Sequence, residues 1–421
     1  MNKCKFLSIT PDVIREQLKN LKQIVFEVTD ACNLSCRYCA YGKLYSGYDP
    51  RNSKKLSYES AIALIDYLLG IWKNSSQTSA NQLVYVSFYG GEPLLNMSLI
   101  KRIIQYIESL PDLDRKFVFS MTTNAVLLDK YIDYLVQKNV QLLVSLDGDA
   151  YSNSYRVDHR GKESFEKVFQ NMKLLQKKYP SYFDSNVNVN SVLHNRNSFV
   201  NTSDFIKSSF GKKVFMSPLN NTGILEERKK EFEEMFQTKE QSISSEIKTE
   251  DAFRELLEGN FLQIPIVSQL LVFLFNYTNN VYRNYNDFFL DRKYTYPTGT
   301  CLPFGRKIFL TTNDKLLVCE RIHQNYVAGY ISEGKVQIDE EKLAAMYNSY
   351  YDKLIGQCEV CYNSKACQQC IFQIENIDAD KVICPAFMNK ESFSRQKKLY
   401  LRFLEKYPSV YEKIMKEVVL Q

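Results

Sequence analysis

The sequence predicts an α/β fold in which helices cover a parallel β-sheet. Short β-rich runs alternate with amphipathic segments over about the first half of the chain, and this order favours parallel strands. Several runs are almost continuously apolar, which is expected when both faces of a parallel strand are buried, and residues 140–146 are the clearest case. The predicted strands are 24–29, 83–89, 117–122, 140–146, 187–192 and 214–216.

Two segments between these strands have the spacing of a helix with one buried face. Apolar residues recur every three or four positions from Tyr58 to Trp72 and from Phe165 to Tyr179. Polar residues and glycines instead follow the strand ends, at 30–41, 90–92, 123–124 and 147–149. In barrel-like β/α folds the loops at the carboxyl ends of the strands carry the functional groups, because the strands hold them rigidly. We therefore expect the functional site at this end of the sheet.

Composition and charge exclude several classes of protein. Hydrophobic residues make up 45% of the 421 residues and charged residues 24%, as in an ordinary soluble globular protein. The net charge of +6 is small for this length and argues against a nucleic-acid partner. The N-terminus lacks the apolar stretch of a secretory signal, and no run reaches the ~18 apolar residues of a membrane helix. We therefore expect a cytoplasmic protein that binds neither membrane nor nucleic acid.

The pattern changes along the chain, so more than one domain is expected. Charged and then apolar helical segments without strands follow the α/β region, and a cysteine-rich segment comes next. A Lys- and Leu-rich helical tail closes the sequence. The expected regions are an α/β core at 1–222, a helical bridging region at 223–297, a cysteine-rich domain at 298–390 and a helical tail at 391–421.

Cysteine usage indicates metal or redox chemistry, because the 11 cysteines of a chain in a reducing compartment are not expected to form disulfides. Cys4 is isolated, and a free thiol is its expected state. Cys32, Cys36 and Cys39 follow the first strand on one loop. Three thiolates at this spacing suit three irons of a cubane cluster and leave the fourth iron open. A zinc site normally takes four protein ligands, so zinc and chance clustering are the weaker alternatives.

The C-x3-C-x2-C spacing, with Tyr38 before the last cysteine, resembles the hallmark of the radical SAM superfamily. The resemblance implies a partial (β/α)6 TIM-like barrel with a C-terminal cysteine-rich iron–sulfur domain. It also implies a [4Fe–4S] cluster whose open iron binds the amino and carboxylate groups of S-adenosylmethionine. In that family one electron cleaves the C5′–S bond, and the resulting 5′-deoxyadenosyl radical abstracts a hydrogen from the substrate.

Two further segments resemble cofactor-binding motifs of the same family. Gly90-Gly91-Glu92-Pro93 resembles its GGEP motif, in which the glycines let the backbone approach the methionine moiety. The Glu92 carboxylate would accept a charge-assisted hydrogen bond from the cationic amino group. Thr123-Asn124 resembles the TNG segment, although Ala125 stands in place of the glycine.

Weaker matches add further candidate contacts to S-adenosylmethionine. Ser145-Leu146-Asp147-Gly148 resembles the SLDG segment, which implies that Ser145 contacts the cofactor ribose and that Asp147 faces the substrate cavity. Arg156 would suit the cofactor carboxylate, and a solvated surface arginine is the alternative. Ser191, at the end of the fifth predicted strand, is a further candidate for a ribose contact.

The C-terminal cysteines form a second cluster of candidate ligands. Their two C-x2-C pairs would alone indicate a zinc ribbon or knuckle, but seven ligands do not fill tetrahedral sites evenly. With the first loop present, the spacing resembles the SPASM domain of peptide- and protein-modifying radical SAM enzymes, which implies two auxiliary [4Fe–4S] clusters and three clusters in all. The resemblance assigns Cys358, Cys361, Cys367 and Cys384 to the outer cluster, and Cys301, Cys319 and Cys370 to the inner one.

Two departures from the SPASM pattern accompany this assignment. Two residues separate Cys367 from Cys370, where the family more often has three. Asn313-Asp314 occupies the turn before Cys319, where a glycine is usual. The inner cluster also has only three cysteines, so its fourth iron is open or completed by another group. An auxiliary cluster is expected to relay an electron or to bind substrate.

Two carboxylates are candidate general bases. Glu320 directly follows Cys319, and in related sulfatase-maturing enzymes an aspartate at this position is proposed to deprotonate the substrate. An exposed glutamate on a hairpin is the alternative. Asp147 is the second candidate.

The sequence therefore predicts an enzyme, a radical SAM maturase that modifies a ribosomally made precursor peptide or another protein substrate. The alternatives are an anaerobic sulfatase-maturing enzyme that forms formylglycine and a non-catalytic metal-binding scaffold. A reductive enzyme of this type needs an electron donor such as flavodoxin or ferredoxin. Only about twenty residues precede the first predicted strand, too few for an independently folding leader-binding module, so we expect a separate leader-peptide-binding protein or another binding surface.

Overall fold

The computed structural model describes residues 5–73, 82–111, 115–277 and 294–417. Cys4 lies outside the described residues. The strands are β1 (Lys5–Phe6), β2 (Gln23–Thr29), β3 (Gln82–Gly90), β4 (Arg115–Thr123), β5 (Gln141–Ser145), β6 (Val187–Leu193), β7 (Val214–Pro218), β8 (Tyr294–Thr295), β9 (Ile308–Leu310), β10 (Lys315–Leu317), β11 (Gly329–Ser332) and β12 (Lys335–Gln337). The helices are α1 (Pro11–Lys19), α2 (Tyr58–Lys73), α3 (Met97–Glu108), α4 (Ile132–Gln137), α5 (Phe165–Lys178), α6 (Pro180–Asn186), α7 (Phe199–Phe210), α8 (Lys229–Met235), α9 (Lys239–Glu246), α10 (Glu250–Asn260), α11 (Pro265–Tyr277), α12 (Glu340–Val360), α13 (Lys390–Lys406) and α14 (Pro408–Glu417).

The chain divides into two compact units. The barrel unit comprises Asp12–Lys248 and Leu302–Glu340, and the cysteine unit comprises Met1–Pro11, Thr249–Cys301 and Glu341–Gln421. This division differs from the regions expected from the sequence, because the segment expected at 298–390 contributes to both units.

The barrel unit contains six neighbouring parallel strands, β2 to β7, in chain order. Each predicted strand is present, with ends within two residues of the expected bounds. The two predicted helices are α2 and α5, and their buried residues follow the predicted spacing. The predicted α/β fold with a parallel sheet is confirmed.

Burial differs between the strands of this sheet. In β2, six of the seven residues are buried, as expected for a parallel strand covered on both faces. In β5, buried Leu142 and Val144 alternate with half-buried Leu143 and Ser145. The prediction of continuous burial was therefore wrong for β5. The half-buried residues of β5 alternate with the buried ones and therefore lie on one face of the strand.

An antiparallel extension continues the sheet beyond β2. β9 pairs parallel with β2, and β10, β11 and β12 follow it as an antiparallel meander. All three residues of β9 are buried, so this short apolar strand completes the edge that β2 would otherwise expose. The buried carboxylate of Glu27, in β2, contacts the turn that follows β9. Its Oε2 accepts a hydrogen bond from the Thr312 backbone at 3.1 Å, and its Oε1 lies 3.0 Å from the Arg51 guanidinium. Cys319 follows β10 and thus belongs to the barrel unit.

The cysteine unit is mostly helical in its described part. It contains α10, α11, α13, α14 and nearly all of α12, together with the short parallel pair of β1 and β8. Within the described ranges no single helix has both the length and the apolarity of a membrane span. The segments Glu250–Gln263 and Pro265–Tyr277 reach these limits only as a pair, bent by 53°.

Candidate active site

Three cysteines lie on the loop that follows β2, at the carboxyl end of the parallel strands. The thiols of Cys32, Cys36 and Cys39 are free and half-buried. Burial raises the pKa of the Cys32 thiol to about 11 and that of Cys36 to about 12, and the neighbouring cysteines of the loop add to both shifts. The three sulfur atoms are therefore close enough to interact electrostatically. We call residues 32–39 the cysteine loop.

The end of β3 is packed against the residues that enter this loop. A Cβ on Gly90, whose φ is +140°, would lie 2.2 Å from the Thr29 carbonyl oxygen, and a Cβ on Gly91 would lie 2.0 Å from that of Ala31. The Gly91 N–H donates to the Thr29 oxygen at 2.9 Å, and the Glu92 N–H to the Ala31 oxygen at 2.8 Å. The two glycines are thus required by the approach of the chain to itself. The role that the resemblance implies for these glycines, to let the backbone approach the methionine moiety of the cofactor, remains a prediction.

Glu92 is completely buried, and its carboxylate organises the ends of β3 and β4. Oε1 accepts from the Leu94 backbone at 3.0 Å and from the Thr123 hydroxyl at 2.6 Å, while Oε2 accepts from the Asn124 backbone at 2.7 Å. Burial raises the pKa of Glu92 to about 7, although these three hydrogen bonds oppose the shift. Since a carboxylate has about four acceptor positions, Oε2 retains one for a cationic ligand.

Asn124 joins the end of β4 to the cysteine loop. Its Nδ2 lies 2.8 Å from the Asn33 Oδ1 and 3.8 Å from the Cys32 Sγ. The next residue, Ala125, is buried and has a φ of +58°, in the left-handed region. The alanine that replaces the glycine of the resembled motif therefore occupies a position that favours glycine.

Asp147 and Arg156 form a buried ion pair. The Arg156 Nε lies 2.8 Å from the Asp147 Oδ2, and its Nη2 lies 2.9 Å from Oδ1. The hydroxyl of Tyr38 donates to the same carboxylate, as does the Val192 backbone at 2.9 Å. Burial alone would raise the pKa of Asp147, but Arg156 and His194 hold it well below its ordinary value.

These contacts correct two expectations from the sequence. Asp147 has no exposed surface and is held ionised by its donors, so it lacks the accessibility and the proton affinity of a general base. Arg156 is 7% exposed and directs both of its bonding nitrogens at Asp147, so the alternative of a solvated arginine is wrong. Two of its five N–H donors bond Asp147, and a contact of the others with a cofactor carboxylate remains a prediction.

The two serine candidates lie at neighbouring strand ends. Ser145 is half-buried and is the last residue of β5, opposite Asn190 of β6. Ser191 is completely buried, and its hydroxyl accepts from the Asn197 side chain at 3.4 Å. Only Ser145 is partly accessible, so its role as a ribose contact is better supported than that of Ser191.

Glu320 and Cys319 lie beside the aromatic residues that follow the cysteine loop. The hydroxyl of Tyr41 is 3.4 Å from the Glu320 carbonyl oxygen. Each carboxylate oxygen of Glu320 lies 3.0 Å from the Lys307 ammonium, and both side chains are mostly buried. The alternative of an exposed hairpin glutamate is therefore wrong. A role as base would require Lys307 to release the carboxylate. Burial raises the pKa of Cys319 to about 12, and Glu320 adds to the shift.

The cysteine unit groups the remaining candidate ligands. Burial raises the pKa of Cys358 to about 12, and Cys367, Cys384 and Cys361 add to it, so these four thiols are neighbours. In the same unit the Ile371 N–H donates to the Thr300 hydroxyl at 2.8 Å, which joins the segments of Cys301 and Cys370. Cys319 belongs to the barrel unit, so its grouping with Cys301 and Cys370 stays a prediction from the resemblance.

His194 is a site residue that the sequence analysis missed. It follows β6, is completely buried, and stacks on Tyr38 with a ring-centroid distance of 5.3 Å. Its Nδ1 accepts from the Arg196 backbone at 3.1 Å, and its Nε2 lies 3.6 Å from the Asp147 Oδ2. Its position directly after a parallel strand was the available signal.

The donor set of the cysteine loop fits a cluster. In the ranges that the structure describes, no three His, Cys, Asp or Glu side chains are arranged to hold one metal ion. A cubane binds each thiolate through a different iron, so its ligands need not meet at one point. The three separate thiols of the cysteine loop could hold such a group.

Comparisons with known proteins agree with this geometry. Residues 26–205 match the model of the Radical SAM superfamily. The radical SAM cyclopropyl synthase TigE of Paramaledivibacter caminithermalis is 27% identical over 165 residues, 38% of this chain and 33% of that protein. The serine-type anaerobic sulfatase-maturating enzyme of Bacteroides thetaiotaomicron is 30% identical over 167 residues, 38% of this chain and 37% of that enzyme. GTP 3′,8-cyclases also match, so similarity in the matched segment does not define a substrate.

The fold comparison extends over nearly the whole chain. The structure of native anSMEcpe with bound AdoMet has a TM-score of 0.57 and 16% identity, and the match covers 94% of this chain and 99% of that one. By sequence, the matched segment spans about half or less of the curated relatives. Residues 26–205 of the chain therefore match the radical SAM domain, and the relatives of the chain include a radical SAM cyclopropyl synthase and anaerobic sulfatase-maturating enzymes.

Proposed function

We propose that the chain is a radical SAM maturase that reductively cleaves S-adenosylmethionine and abstracts a hydrogen from a residue of a ribosomally made precursor peptide. The product would be a cross-link or another oxidative modification. The observation that carries the proposal is the cysteine loop at the carboxyl end of β2. Its three cysteines are half-buried, and contacts with the ends of β3 and β4 hold the loop in place. The similarity to the radical SAM cyclopropyl synthase TigE over 165 residues supports radical SAM chemistry.

The residues of the barrel unit have distinct roles in this proposal. Cys32, Cys36 and Cys39 would hold a [4Fe–4S] cluster, which supplies the electron for S-adenosylmethionine cleavage. The free acceptor position of Glu92 would bind the amino group of the cofactor, and Ser145 would contact its ribose. The burial of the three cysteines would restrict the access of water and oxygen to the cluster.

The C-terminal cysteines add two auxiliary clusters to the proposal. Cys358, Cys361, Cys367 and Cys384 are already neighbours, which supports the outer one. An oxidative product requires an electron acceptor after the hydrogen has been removed, and an auxiliary cluster supplies one. The enzyme also needs an external one-electron donor such as flavodoxin or ferredoxin.

A sulfatase-maturing enzyme is the second candidate function. The 30% identity to the serine-type enzyme and the near-complete fold match to anSMEcpe support it. In this case Glu320, beside Cys319, would deprotonate the substrate once Lys307 had released its carboxylate. The product would be a formylglycine aldehyde, which a hydrazide reagent detects.

Anaerobic reconstitution tests the proposal. The reduced wild-type protein should bind about twelve irons if three cubanes form, and it should release 5′-deoxyadenosine from S-adenosylmethionine. Cys36→Ala should abolish this release, while Cys361→Ala should still release 5′-deoxyadenosine but lose the modified peptide. A non-catalytic scaffold, the third candidate, would release no 5′-deoxyadenosine, and that result would overturn the proposal.

The substrate assay separates the two maturases. Peptides encoded by small reading frames beside the coding sequence are compared with a sulfatase peptide containing Cys or Ser. A precursor peptide that loses hydrogen without forming an aldehyde supports the peptide maturase. A hydrazide-reactive sulfatase peptide supports the second candidate instead.

A further inference from the structure

The cysteine loop is paired along its backbone with a second segment of the barrel unit. The Ser35 N–H donates to the Val157 carbonyl oxygen at 2.7 Å, and the Arg37 N–H donates to that of Tyr155 at 3.1 Å. These two hydrogen bonds lie between the first and last cysteines of the loop. The conformation of the loop therefore depends on where residues 155–157 are held.

Side chains from both partners of this pairing bind one carboxylate. From the loop, the Tyr38 hydroxyl donates to the Asp147 Oδ2. From the second segment, Arg156 donates to both Asp147 oxygens, at 2.8 and 2.9 Å. Asp147 thus connects the cysteine loop to residues 155–157, next to the two backbone hydrogen bonds that pair them. Because the carboxylate has no exposed surface, water does not compete for these bonds.

Asp147 is itself held in place by the loop after β6. The Val192 N–H donates to its Oδ1 at 2.9 Å, and the Asn197 amide donates to its backbone oxygen at 3.1 Å. The Nδ1 of His194 accepts a hydrogen bond from the Arg196 backbone, and its Nε2 lies 3.6 Å from the carboxylate. The His194 ring also packs against Tyr38. The carboxylate therefore has a fixed position before any ligand binds.

We propose that Asp147 is a positioning residue that holds Tyr38 and Arg156 together and so fixes the cysteine loop in the conformation that receives the cluster. The identity of the cluster rests on the proposed function, but the ordering acts in the cluster-free protein. A preformed loop loses less conformational entropy when the cluster binds than a loop that has to order at that moment. This role explains why a charged pair is retained in the interior beside the site.

Hydrogen exchange of the cluster-free, full-length protein tests this role. The amides of Ser35 and Arg37 exchange only when the pairing opens. Tyr38→Phe keeps the ring and removes its bond to Asp147, so both amides should exchange about tenfold faster than in the wild type. Asp147→Asn should have the same effect or a larger one.

Tyr45→Phe is the matched control. Tyr45 is 7% exposed, follows the cysteine loop closely, and donates its hydroxyl to the Asn220 carbonyl oxygen at 2.8 Å. The substitution also removes one buried phenol hydroxyl, yet it leaves Asp147 untouched. Exchange at Ser35 and Arg37 should therefore remain at the wild-type rate.

Two results overturn the inference: unchanged exchange in Tyr38→Phe, or equal acceleration in Tyr38→Phe and Tyr45→Phe. If Asp147→Asn fails to fold, Tyr38→Phe still decides the question. A second readout is the EPR signal of the reconstituted, reduced proteins with S-adenosylmethionine, which should be altered in Tyr38→Phe and unchanged in Tyr45→Phe. If the wild type binds no iron, the proposed function fails, whereas the exchange result stands because it is measured without iron.

Discussion

The backbone N–H of Glu92 donates to the carbonyl oxygen of Ala31 over 2.8 Å, at the residue that precedes the first cysteine of the loop. The end of β3 thus holds the entry of the cysteine loop through its main chain. The same contact brings Gly91 so close to Ala31 that a side chain has no space there. The Gly-Gly-Glu sequence is required by the architecture of the loop before any cofactor is considered.

Gly91→Ala should destabilise the protein by at least about 2 kcal/mol, because its Cβ would lie 2.0 Å from the Ala31 carbonyl oxygen and the backbone would have to shift. It should also lower the iron bound on reconstitution. Urea unfolding and iron analysis measure the two effects. Gly70→Ala is the control: no atom lies within 4 Å of its added Cβ, and this substitution inside α2 should stabilise the protein by about 1 kcal/mol. Similar stabilities of the two variants would contradict the packing argument.

Ala125→Gly should leave the free energy of unfolding within about 1 kcal/mol of wild type. Glycine adopts the left-handed conformation at φ +58° without strain, which stabilises the folded protein. Loss of the buried methyl group and the greater entropy of the unfolded glycine chain destabilise it by a similar amount. Ala61→Gly, the same change at a completely buried helical position in α2, should cost about 1 kcal/mol or more. Thermal or urea unfolding compares the two. A larger loss in Ala125→Gly than in Ala61→Gly would show that the conformation carries no strain.

The ionisation of Glu92 should make the cluster-free protein less stable as the pH rises from 4.5 to 7. Burial raises its pKa from 4.5 to about 7, so the folded state binds a proton more tightly than the unfolded state. This contribution is fully present below pH 4.5 and is lost by about pH 7, with a maximum of roughly 3 kcal/mol. Urea unfolding at several pH values measures it.

The difference between wild type and Glu92→Gln isolates this contribution, since glutamine does not titrate. The wild type should lose stability relative to the variant as the pH rises through this window. Glu59→Gln, at an exposed position in the first turn of α2, is the matched control for the substitution itself. A constant difference between wild type and Glu92→Gln would mean that folding does not raise the pKa of Glu92.

Asp147→Asn should destabilise the folded protein by about 3–5 kcal/mol, because it leaves the buried Arg156 cation without its partner. Asp12→Asn breaks an ion pair with Arg15 on the surface, where the side chain of Asp12 is 90% exposed and that of Arg15 is 53% exposed. This substitution should change the free energy of unfolding by less than about 1 kcal/mol. Both variants are compared with wild type by urea unfolding at neutral pH. Equal, small effects would show that Asp147 does not carry a buried charge.

The strands and the cysteine loop were predictable because their signals are local. Apolar runs marked all six parallel strands, and the three cysteines directly follow the first of them. The sequence also showed where the resembled families have a glycine that this chain lacks, at Ala125 and in the turn of Asn313-Asp314. In the structure Ala125 and Asp314 have positive φ, at +58° and +59°, a conformation that the sequence analysis did not predict.

The pairing of Asp147 with Arg156 and Tyr38 was not predictable from the sequence. Asp147 and Tyr38 are 109 positions apart, and their contact depends on how the loops after β2 and β5 meet at the end of the sheet. Neither residue type indicates by itself whether it faces solvent or an ion-pair partner. The division of the C-terminal region was missed for a similar reason: β9 has only three residues, and its pairing with β2 is a long-range contact.

The response of the EPR signal of the reduced, reconstituted protein to S-adenosylmethionine tests the central claim most directly. The claim is that Cys32, Cys36 and Cys39 hold a cluster with one iron open to that ligand. The account predicts that the ligand changes one cluster signal, that Cys36→Ala lacks both the signal and the change, and that Cys361→Ala retains them. A spectrum that does not respond to S-adenosylmethionine, or a response that persists in Cys36→Ala, would contradict it.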